Sequence, residues 1–91
     1  MERTQLMEEL QSRYPKMFLS TTEKFNGESG GIWTSGEDSP INSNGLHLFN
    51  YYAEGNDYDL GVEVNFSEYL DSVGWYCEWQ DAGTIMINPN F

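Results

Sequence analysis

Between Asn65 and Asn88 the apolar period of the chain changes once, and that change restricts the fold more than any other feature of the sequence. Phe66, Tyr69, Leu70 and Val73 fall at i, i+3, i+4 and i+7, the stripe of an amphipathic helix, while Glu68 and Asp71 project from the opposite side. Asn65 can accept a hydrogen bond from a first-turn amide, and Glu68 stands where a capping box places its acid, so the helix is expected to begin at Asn65. Gly74 can take the left-handed conformation that closes it. From Trp75 to Gln80 the period becomes two, with Trp75, Cys77 and Trp79 on one face and Tyr76, Glu78 and Gln80 on the other.

Asp81-Ala82-Gly83 then reads as a three-residue hairpin loop with Gly83 at positive φ. If Gln80 pairs with Thr84, Trp79 faces Ile85 and Cys77 faces Ile87, so both strands turn their most apolar residues the same way, and Glu78 meets Met86 outside. A slip of one residue would turn that apolar set to water. Pro89 has no amide to give a ladder and ends the last strand.

Earlier in the chain, Thr4 can cap a helix running to Tyr14, with Leu6, Met7, Leu10 and Tyr14 on one face and Glu9 and Arg13 paired outside; Pro15 stops it. Met17-Phe18-Leu19 is a short apolar run, either a strand or a tether into the core. Ser20 to Gly31 and Gly36 to Gly45 read as loops, Ile32-Trp33-Thr34 as a short strand and Leu46 to Tyr52 as a strand rich in β-formers. Residues 54 to 64 read as loop or a short extended piece, because Val64 would project from the wet face of the following helix. The predicted fold class is α+β: a single domain spanning residues 1–91, in the order α-β-β-α-β-β, with about four antiparallel strands and two helices packed on one face.

A chain of 91 residues suits one core, to which fourteen aromatic residues contribute, and one cysteine permits no internal disulfide. The first residues lack a basic-then-apolar signal pattern, and no apolar run reaches membrane-spanning length, so a soluble intracellular protein is expected. All four basic residues, Arg3, Arg13, Lys16 and Lys24, precede Phe25; the rest of the chain holds eleven carboxylates with no Lys or Arg. Such a surface repels a phosphate backbone, so direct nucleic-acid binding is not expected, and it attracts basic partners. Acidity that serves only solubility is the competing reading.

Gly74-Trp75-Tyr76-Cys77-Glu78-Trp79, followed by Asp81-Ala82-Gly83-Thr84-Ile85-Met86-Ile87, resembles the C-terminal third of small acidic proteins of tailed bacteriophages. The resemblance covers about a quarter of the chain and carries no catalytic residue. It implies a setting, the cytoplasm of an infected bacterial cell.

Asp57, Asp59 and Glu68 match positions 1, 3 and 12 of an EF-hand loop, but Gly61 and Val62 fall where that loop needs a ligand and its sharp-turning glycine. A looser divalent site at Glu54, Asp57 and Asp59 competes with a solvated acidic loop, and no metal or cofactor is expected. His47 and Cys77 could make a base and nucleophile pair, yet each falls within an expected strand, so no enzyme is expected. Gly27-Glu28-Ser29-Gly30-Gly31 lacks the lysine of a phosphate-cradling loop. What remains is the run of eight carboxylates from Glu54 to Asp81, with Tyr58, Tyr76 and Met86 expected on the same exposed faces. Asp57, Asp59, Glu68, Asp71, Glu78 and Tyr76 are therefore the candidate contact residues for a basic surface of a host protein, a surface that could imitate nucleic acid. The alternative is a structural or accessory viral protein that assembles with itself, its acidity incidental; the sequence fixes no oligomeric state.

Overall fold

The computed structural model describes residues 1–53 and 55–90. Its centre is the hairpin of β5 (Trp75–Asp81) and β6 (Thr84–Pro89), in which Cys77 pairs with Ile87, Glu78 with Met86 and Trp79 with Ile85. That is the register the apolar pattern requires. The turn differs from expectation: Asp81, and not Gln80, pairs with Thr84, so Gln80 is an extra residue in a bulge and the connection shortens to Ala82-Gly83. The Asp81 carboxylate accepts the Gly83 amide at 2.9 Å, closing the turn as a side-chain mimic of a backbone bond. Gly83 therefore does not need positive φ and does not have it.

Outside β6 lies β2 (Ile32–Ser35), and outside β2 lies β1 (Ser20–Thr21), giving a four-stranded antiparallel sheet in the order β1-β2-β6-β5. The strand expected at Leu46 to Tyr52 is absent, replaced by isolated bridges of His47 to Ile41 and Phe49 to Val62. Leu48 and Phe49 are both buried, so the segment does not alternate. Its backbone bonds are divided between two neighbours, with the Leu48 amide on the Pro40 carbonyl at 2.9 Å and the Asn50 amide on the Gly61 carbonyl at 2.8 Å. The fourth strand comes instead from the stretch expected to be loop, where β1 runs into a one-turn helix, α2 (Thr22–Asn26). Thr22 organises that stretch, its buried hydroxyl donating to the Glu28 carbonyl at 2.8 Å and accepting the Gly31 amide at 3.1 Å.

Two longer helices, α1 (Arg3–Arg13) and α3 (Val64–Ser72), pack their apolar residues on one face of the sheet. Leu6, Leu10, Phe66, Leu70 and Trp75 meet Ile32, Ile85 and Ile87 in a continuous core. Neither helix begins where expected. α1 is capped by Glu2, whose amide donates to the Gln5 side chain at 3.3 Å, so Thr4 lies within the helix. α3 is capped by Glu63, which is 1% exposed and accepts the amides of Asn65 at 2.8 Å and Phe66 at 3.2 Å. Asn65 is inside the helix, and Glu68 is no part of a capping box. Gly74 follows with φ 86°, as its role in closing the helix requires. Between the loops and α3 stands a small hairpin, β3 (Tyr58–Asp59) and β4 (Val62–Glu63), an extended piece within residues 54 to 64.

Met86, expected to be exposed, faces outward as the register demands and is nevertheless only 2% exposed. Trp33 is its partner across β2 and β6, and Phe18 and Phe25 pack on Trp33 with ring centroids 4.9 and 4.8 Å away. The outer face of the sheet thus carries its own small apolar cover.

Candidate acidic interface

The final turns of α3 and the strand β5 meet the β3–β4 hairpin around a hollow of about 290 Å³. Asp59 lines it from β3, Ser67, Glu68, Leu70 and Asp71 from α3, and Trp75, Tyr76 and Cys77 from β5. Four of the six residues singled out by sequence, Asp59, Glu68, Asp71 and Tyr76, are brought together there. Asp57 and Glu78 are exposed but lie outside it: Asp57 flanks β3, where its carbonyl accepts the Val64 amide at 2.9 Å, and Glu78 stands on the outer sheet face.

Local structure explains why the hollow is acidic. The helical spacing that buries Phe66 and Leu70 leaves Glu68 and Asp71 on the wet side of α3. The last turn of α3 contains no basic residue, so the partial negative charge of its C-terminal carbonyls adds to that of Asp71. The two ion pairs among the described residues, Arg3 with Glu23 at 2.7 Å and Arg13 with Glu9 at 3.0 Å, are both confined to the first 23 positions. Arg13 also lies 4.0 Å from the Tyr69 ring centroid.

The remaining candidates sort differently. Tyr76 is 42% exposed, as an interface tyrosine must be, but Met86 is buried and cannot contribute. Tyr58 is half-buried, with its hydroxyl donating to the His47 carbonyl at 2.8 Å. Glu63, which the sequence counts among the eight acids of this run, is a buried helix cap and no part of the surface. Sequence offered little signal for that role, since glutamate is not a favoured capping residue.

His47 is held by a bond from its Nδ1 to the Ser39 carbonyl at 2.9 Å, which assigns the proton to Nδ1. Burial pushes the Cys77 thiol up to about 12, so no thiolate is present near neutral pH. No group of three or more histidine, cysteine, aspartate or glutamate side chains among the described residues is placed to hold a metal. Glu54, the third carboxylate weighed for a cation, lies outside the described residues. No helix among the described residues is long and apolar enough to cross a membrane.

Neither a protein-family model, nor a curated protein, nor a solved structure matches this chain.

Proposed function

We propose that this protein is a small acidic interaction protein that occupies a basic surface on another protein and thereby modulates or inhibits it. The observation that carries this reading is the convergence of Asp59, Glu68, Asp71 and the half-exposed Tyr76 on one hollow, without a lysine or arginine after Lys24. Carboxylates clustered along a strand edge that also bears an exposed tyrosine suit a surface that normally receives phosphates, so a nucleic-acid-binding face is the kind of target this acidity fits. The resemblance of residues 74–87 to small phage proteins supports a host bacterial protein as that target, met in the cytoplasm of an infected cell.

Self-assembly is the second reading, and one feature favours it: Phe18 and Phe25 lie partly exposed over Trp33 on the outer sheet face. The two readings separate in one experiment. The protein and a variant carrying Asp57→Asn, Asp59→Asn, Glu68→Gln, Asp71→Asn and Glu78→Gln are used to capture partners from bacterial lysate at matched low and moderate salt. Loss of a specific basic partner in the variant supports the acidic interface. Equal recovery of that partner by both proteins overturns it.

A further inference from the structure

We propose that the open edge of β5 receives an extended lysine- or arginine-rich segment of a protein partner as a further strand of the sheet. The proposal rests on the acidic-interface reading and gives it a docking geometry. β5 is the last strand in the order β1-β2-β6-β5, and no further strand among the described residues is paired beside Cys77, Glu78 and Trp79.

Two hydrogen bonds fix which backbone groups that edge presents. The Asn90 amide donates to the Gly74 carbonyl at 2.7 Å, so Gly74 and Asn90 form a bonded pair, and bonded pairs in an antiparallel ladder recur at every second residue. Tyr76 with Asn88 and Glu78 with Met86 are then bonded pairs as well, with their polar groups turned toward β6. The opposite side of β6 gives the same phase. The Gly36 amide donates to the Gly83 carbonyl at 3.0 Å, which turns the groups of Ile85 and Ile87 toward β2 and leaves those of Met86 for β5. By alternation, the N–H and C=O of both Cys77 and Trp79 point off the edge. A docked strand can bond to all four of these groups, the mode by which sheets take up extended peptides.

Charge selects the occupant. An added strand places alternate side chains on the two sides of the sheet. Those beside Tyr76 and Glu78 meet a carboxylate and an exposed tyrosine, suited to the head and stem of a lysine or arginine. Those beside Cys77 overlie the hollow with Asp59, Glu68 and Asp71. Both sets of positions therefore favour a cation. A second copy of this chain would bring the same carboxylates against these, each copy carrying a formal charge of −11, so the edge disfavours self-pairing while it remains open to a basic strand.

The test uses the intact protein and two synthetic peptides of about ten residues alternating lysine and valine, one ordinary and one with every amide N-methylated, which keeps the charge and abolishes strand addition. Binding is measured at low and moderate salt, with amide exchange followed residue by residue. The ordinary peptide is expected to bind at least about tenfold tighter than the methylated one and to slow exchange at Cys77 and Trp79 by at least about tenfold, leaving Tyr76 and Glu78 unchanged. Equal binding of both peptides, or slowing confined to another part of the chain, overturns strand addition and leaves the acidic-interface reading standing. Binding of neither peptide overturns both.

Discussion

The indole N–H of Trp79 donates to the Leu60 carbonyl at 2.7 Å and so fastens the edge strand of the main sheet to the turn of the β3–β4 hairpin. The same ring packs with Phe49 and Tyr51, at centroid distances of 6.3 and 5.0 Å. Replacing Trp79 with Phe keeps most of the apolar contact and leaves the Leu60 carbonyl without this donor, an expected cost of about 1 kcal/mol. Trp79→Ala removes the ring as well, at about 3–5 kcal/mol, enough to unfold much of a domain this size. Urea unfolding of the two variants measures the difference, and a Phe variant as damaged as the Ala variant would contradict the division made here.

Leu60 itself is a strained choice. With φ of 50° it and Gly61, at 80°, form the two central residues of a turn in which both must be left-handed. The residue is 87% exposed. Leu60→Asn supplies a residue that tolerates the left-handed region at little loss of contact, and should raise stability by about 0.5–1 kcal/mol in chemical unfolding. A loss of stability would mean that the leucine side chain makes a contact in solution.

The hairpin register was legible because two independent patterns, apolar alternation in Trp75–Trp79 and in Ile85–Ile87, agree only in one alignment. Leu46 to Tyr52 misled because β-propensity reports fitness for a pleated, half-buried surface, whereas here two successive residues, Leu48 and Phe49, are buried. The Ser20 to Gly31 stretch was illegible for another reason. Its order depends on the Thr22 hydroxyl and on Arg3, which bonds both Glu23 and the Gly31 carbonyl from far away in the chain. The candidate site divides the same way: helical spacing exposes Glu68 and Asp71, but their meeting with Asp59 depends on where the β3–β4 hairpin lies. Met86 escaped because its cover, Trp33 with Phe18 and Phe25, comes from the other half of the sequence.

Cys77 predicts an alkaline weakness. Burial raises its thiol from 9.0 to about 12, so the unfolded chain loses this proton first as pH rises. Between those values the unfolded state binds fewer protons than the folded one, and stability falls with increasing pH; below about 9 the group contributes no slope. Burial also raises Tyr14, Tyr58 and Tyr69, which act in the same direction. The comparison is therefore wild type against Cys77→Ala, unfolded in urea at about pH 8 and about pH 10.5. The variant should lose less stability over that interval, and parallel losses would show that the thiol does not titrate as its burial requires.

Two carboxylates five residues apart make the sharpest contrast in the chain. Glu68 is exposed on α3, whereas Glu63 is 1% exposed and accepts both the Asn65 and Phe66 amides at the start of that helix. Glu63→Ala leaves two first-turn amides without an acceptor where water has little access, and should cost about 1–3 kcal/mol. Glu63→Gln retains one carbonyl acceptor and should fall between wild type and Ala. Glu68→Gln touches no capping bond and relieves like-charge repulsion with Asp71 and the C-terminal end of α3, so its thermal midpoint should equal or exceed that of wild type at low salt. Added salt should narrow the gain at position 68 by screening it, while the loss at the buried cap persists. Thermal unfolding at low and high ionic strength checks all three variants, and a Glu63→Ala midpoint within error of wild type would show that this buried carboxylate does not hold the helix start.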